Sequence, residues 1–70
     1  MLKVKCIAET YKDKLGILSK IGNFKENKKY ECMHIVEGYL FFFDEDGYHQ
    51  IPKLLSKYQF DRMFEIIKVM

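Results

Sequence analysis

From its second residue the chain alternates: Leu2, Val4, Cys6 and Ala8 are apolar or small, and Lys3 and Lys5 stand between them. Successive side chains on a strand point to opposite faces, so this spacing predicts a first strand with one buried and one wet face. A second alternation runs from Lys29 to Val36. It places Tyr30, Cys32, His34 and Val36 on one face and Glu31, Met33 and Ile35 on the other. Glu37-Gly38 then signals a turn, and Tyr39-Leu40-Phe41-Phe42-Phe43 follows, apolar on both faces. Asp44-Glu45-Asp46-Gly47 reads as a hairpin turn, because an Asp-Gly pair supplies the backbone angles of a tight reversal. Tyr48 to Ile51 returns as a strand, and Pro52, which cannot donate to a ladder, is expected to end it. Together these segments predict an antiparallel meander.

The stretches on either side of the meander are less regular. Between Thr10 and Gly22 the apolar residues Leu15, Ile17, Leu18, Ile21 and Phe24 recur at three- and four-residue spacings, which favours a short helix over residues 11–21. Gly16 opposes it, costing about 1 kcal/mol relative to alanine inside a helix, and an apolar loop folded across a barrel is the alternative. Residues 24–29 read as a turn, with Asn27 the residue most tolerant of positive φ. Helical turns are expected over roughly 53–63, where Leu54, Leu55, Tyr58, Phe60 and Met63 recur, and a last strand near 64–69 should close against the first. The expected fold is mainly β with a helical insert, a partly open five-stranded antiparallel barrel. Such curling is an economical way to limit exposed strand edges.

Seventy residues make one small domain, 1–70, that buries only about 60% of the surface its unfolded chain exposes. A hydrophobic content of 49% argues against disorder. The net charge of +2 is too mild for a dedicated nucleic-acid binder, yet it is uneven. Residues 1–35 hold eight lysines and four acids, whereas residues 36–70 hold four basic and six acidic residues. The longest apolar run is about five residues, far short of the roughly 20 that span a membrane, and no apolar leader precedes the first strand. Two cysteines without a secretory signal suggest free thiols in a reducing cytoplasm.

The order of several short motifs is familiar. Lys3-Val4-Lys5-Cys6-Ile7, Lys28-Lys29-Tyr30-Glu31-Cys32, Asp44-Glu45-Asp46-Gly47, Ile51-Pro52 and Phe60-Asp61-Arg62-Met63-Phe64-Glu65 resemble those of small SH3-like barrel proteins encoded by bacteriophages and prophages. Asn27 stands where such proteins usually carry a glycine, an exchange the turn tolerates. The resemblance covers most of the chain, but its motifs are structural. It implies an SH3-like barrel and a small accessory protein, sometimes directed at a host protein or defence system within the host cytoplasm. It supplies no catalytic residues.

The residues themselves offer four sources of chemistry. Cys6, Cys32, His34 and His49 have the ligand types of a zinc site, but their spacing lacks the close pairs that structural zinc sites use. Cys6 and Cys32 read instead as small core residues, and no metal or other cofactor is expected. A Cys–His nucleophile is conceivable, but no third orienting residue accompanies it, so no enzyme is expected. Lys12, Lys14, Lys25, Lys28 and Lys29, interleaved with Tyr11, Phe24 and Tyr30, make the alternative: a positive surface with stacking rings for single-stranded nucleic acid. The two-sided aromatic strand is the last source. Leu40 and Phe42 face away from Tyr39, Phe41 and Phe43, and are either covered by Leu15, Leu18 and Ile21, or by Leu54, Leu55 and Phe60, or left for a partner. With the acidic tip they give the leading expectation: non-enzymatic binding of a host protein, or a homodimer, through Leu40, Phe42, Asp44, Asp46 and Tyr48.

Overall fold

The computed structural model describes residues 1–44 and 49–70, setting aside the side chains of Phe43 and of residues 49–52. The alternating segments become strands: β1 (Leu2–Cys6), β4 (Lys29–Ile35) and β5 (Gly38–Asp44). β6 (His49–Leu55) completes the meander. A seven-residue helix α1 (Lys57–Met63) follows and runs straight into β7 (Phe64–Val69). These strands form one antiparallel sheet in the order β6-β5-β4-β1-β7. The sheet is open, with β6 and β7 at its edges, and α1 packs against β5, β6 and β7. The fold is mainly β, as the pattern predicted, with a single short helix among the described residues.

The core lies on the sheet face that β1, β4 and β5 predict. Val4, Cys6, Cys32, Phe41, Leu55 and Met63 are essentially inaccessible. Phe24, from the turn before β4, inserts its ring among Tyr30, Phe41 and Phe64, each centroid 5.0 Å away. Tyr39 stacks on Phe60 of α1 at 3.6 Å. Aromatic side chains bury about 150–250 Å² each, which is how a chain this short assembles a core from so few residues. The helix is fixed at its start by Ser56, whose hydroxyl accepts the Gln59 N–H while the Gln59 side chain accepts the Ser56 N–H. Asn27 adopts φ 70°, as its place in the turn predicted, and its N–H donates to the Cys6 carbonyl.

Three local expectations are corrected. Residues 11–21 are not helical: β2 (Tyr11–Lys12) pairs antiparallel with β3 (Leu18–Ser19) as a separate two-stranded ribbon. Asp13 is the cause. Its carboxylate accepts the Leu15 and Ile17 N–H groups at 2.8 and 3.0 Å, which a helix would need for its own ladder. Gly16 at φ 81° completes the reversal. The second correction concerns Pro52, which does not end its strand; β6 continues to Leu55 because an edge strand tolerates a missing donor.

The third concerns β5. A bulge at Phe42 shifts the register, so Cys32 pairs with Phe41 but Glu31 with Phe43 and Tyr30 with Asp44. An extra residue in one strand reverses the alternation beyond it. Asp44 therefore lies on the core side, 5% exposed, instead of at a solvated tip with Asp46. Residues 45–48, and with them Asp46, Tyr48 and the expected Asp-Gly turn, lie outside the described residues.

Candidate functional site

The sheet's outer face answers the question posed by the two-sided strand. Leu40 lies in register between Met33 on β4 and Leu54 on β6, and those flanking residues are 42% and 48% exposed. Neither expected cover materialises. Leu15 and Leu18 are exposed on the ribbon, Ile21 packs against the core, and Leu55 and Phe60 are buried in it. Leu54 flanks Leu40 without covering it. Leu40 is thus half-buried on an apolar outer row, and Phe42, the residue at the bulge, is half-buried as well.

The lysine-rich region is dispersed by the fold. Phe24 and Tyr30, its expected stacking rings, belong to the core, where the Tyr30 hydroxyl accepts the Lys25 N–H. Lys28 reaches Asp44 at 3.2 Å. Lys25 and Lys29 are exposed, but no exposed ring of the expected set accompanies them. Only Tyr11, Lys12 and Lys14 remain together, on the ribbon.

There the structure builds a groove that the sequence pattern alone did not reveal. The ribbon leans on α1, and between them lies a cavity of about 390 Å³ lined by Tyr11, Asp13, Lys14, Leu15, Tyr58 and Gln59. Two hydrogen bonds set its width: the Tyr58 hydroxyl donates to the Lys12 carbonyl, and the Gln59 side-chain amide donates to the Tyr11 hydroxyl, each at 3.1 Å. The Tyr11 and Tyr58 rings meet edge to face with centroids 6.4 Å apart. The Arg62 guanidinium lies 3.6 Å from the centre of the Tyr58 ring, and the Lys14 ammonium lies 5.7 Å from it. Both are cation–π contacts, which hold the cations in place without neutralising them.

Charge in the groove is unbalanced. Asp13 spends its carboxylate on the ribbon's backbone, and Asp61 on α1 pairs with Lys57 at 3.0 Å. Asp13 keeps its charge, so one carboxylate stands against two cations, Lys14 and Arg62, on the Tyr58 ring; Lys12 follows Tyr11 on β2 and takes the opposite face. Beside the two cations Leu15, Ile17 and Leu18 are 84%, 59% and 66% exposed. A concave volume of a few hundred Å³ that combines aromatic rings with a few convergent polar groups is a common form of binding site. The sequence signal for it was Tyr58 and Arg62 at i,i+4, which share a helix face.

The thiols are chemically quiet. Burial is the main cause that pushes Cys32 up from 9.0 to about 11, and burial likewise raises Cys6. Protonated thiols are poor nucleophiles and poor metal ligands. His34 shares its face of β4 with Cys32 but is exposed, and it stacks on Tyr39 with ring centroids 4.7 Å apart. Among the described residues, no three of His, Cys, Asp and Glu come together to hold a metal ion. Among them, too, no helix is long and apolar enough to cross a membrane. Compared with known proteins, the chain matches no family model, and no curated protein or solved structure is significantly similar to it.

Proposed function

We propose that this chain is a non-enzymatic protein-binding module whose groove between the β2–β3 ribbon and α1 takes an extended segment combining acidic with bulky apolar side chains. The observation that carries this reading is the Tyr58 ring in contact with both Lys14 and Arg62, with Leu15, Ile17 and Leu18 exposed alongside. Apolar side chains of the partner would remove this surface from water, worth roughly 25 cal/mol per Å². Its carboxylates would meet Lys14 and Arg62, which steer approach and fix orientation. Action is then steric: the module occupies a segment the partner needs for something else. The likeness to phage-encoded barrels favours a partner in the host cell.

This reading moves the contact surface from Leu40 and Phe42 to the groove, where exposed apolar side chains stand beside two cations on one aromatic ring. Nucleic acid is the less favoured reading, since Phe24 and Tyr30 are core residues and Lys28 is paired with Asp44. The test is selection from a library of random extended peptides, run against the natural chain and against one carrying Lys14→Glu and Leu15→Ser. Enrichment of acidic-apolar sequences on the natural chain alone is expected. Equal enrichment on both, or binding of a labelled single-stranded oligonucleotide at low salt without any peptide selected, would overturn the proposal.

A further inference from the structure

β7 is a sheet edge whose neighbour on one side is β1 and which has no strand on the other among the described residues. Its register with β1 contains a bulge at Ile67: Lys5 pairs with Glu65 and Val4 with Ile66, but Lys3 pairs with Lys68 and Leu2 with Val69. Lys3 and Lys5 share the wet face, so Glu65 and Lys68 share it too, although they are three residues apart. Without the bulge they would face opposite ways. Two hydrogen bonds fix the alternation of the ladder at either end, Ile7 N–H to the Met63 carbonyl and Met70 N–H to the Met1 carbonyl. Counting from them, Glu65 and Lys68 direct their peptide groups towards β1, while Phe64 and Val69 direct theirs outward.

We infer that β7 pairs with itself: two copies of this chain join antiparallel through their β7 edges, with Glu65 of each opposite Lys68 of the other. The two-fold axis passes midway between the Ile66–Ile67 peptides of the two copies. In that register the outward peptide groups of Phe64 meet those of the other copy's Val69 as a hydrogen-bonded pair. Glu65 and Lys68 form the intervening pairs, in which side chains approach most closely. Ile66 and Ile67, 49% and 47% exposed, meet across the axis. The surface is isologous, as a two-fold dimer requires, and it makes one continuous sheet of two five-stranded halves. The same register is what an exposed edge rich in β-branched residues would otherwise leave to uncontrolled pairing.

Sedimentation equilibrium of the full chain tests this over a range from low micromolar to near millimolar. The natural chain is expected to pass from one chain to two. Glu65→Lys alone, or Lys68→Glu alone, sets like charges opposite each other twice and should weaken the dimer about tenfold or more. An equimolar mixture of the Glu65→Lys and Lys68→Glu chains restores both opposite-charge pairs and should dimerise again. A natural chain that stays monomeric throughout overturns the inference. So does a dimer that both substitutions leave intact, or a mixture of the two folded variants that fails to associate.

Discussion

Phe41 and Gly38 occupy one strand, and each is held by a different kind of necessity. Phe41 is 1% exposed and touches the rings of Phe24, Tyr30, Phe60 and Phe64. Phe41→Ala should cost about 3–5 kcal/mol in a urea titration, the usual toll of emptying a large core site. Gly38 has φ 149°, and a Cβ there would run into the Leu55 carbonyl oxygen. Gly38→Ala should therefore destabilise by about 1–3 kcal/mol even though the side chain it adds is small. The burial of Phe41 was legible in the apolar run. That of Asp44 was not, because a bulge is set by how two strands twist together and not by the residues of either one.

Among the elements, the meander and β7 were legible because alternation is a property of single strands. The ribbon was not. Leu15, Leu18 and Ile21 mimic a helical stripe, and the decision fell to Asp13 and Gly16, whose local bonds outcompete a helix that would have been only two or three turns long. The element built by Asp13 should also depend on it. Asp13→Ala removes two side-chain-to-backbone hydrogen bonds, each contributing about 1 kcal/mol, from an exposed loop. Hydrogen exchange should then show lost protection at Leu15 and Ile17, with the protection of β1, β4 and β5 unchanged. Equal loss of protection in the sheet would mean that the ribbon is part of the cooperative core. The groove was legible only in part: Tyr11 and the nearby lysines stood out, while Tyr58, Gln59 and Arg62 acquire their meaning from the ribbon's arrival over α1.

At the scale of the molecule, the core's acids couple its stability to alkaline pH. Cys32 is raised from 9.0 to about 11 by burial, and burial is also the main cause that raises Cys6 and Tyr30. In each case the folded chain keeps a proton that the unfolded chain gives up. The contribution of Cys32 is thus fully present below pH 9 and is lost as pH climbs towards 11, and those of Cys6 and Tyr30 also fall as pH rises. The urea midpoint should fall across that window, and less steeply in Cys32→Ala than in the natural chain; parallel declines would remove Cys32 from the account. The proposed function rests at this scale on which of two surfaces meets a partner, the groove or the apolar outer row. The direct measurement is the affinity of one library-selected peptide for the natural chain, for Lys14→Glu and for Leu40→Ser. The groove account predicts that Lys14→Glu loses about tenfold or more in affinity, as a close charge reversal can, while Leu40→Ser binds as the natural chain does. Loss in Leu40→Ser with full affinity in Lys14→Glu would contradict it.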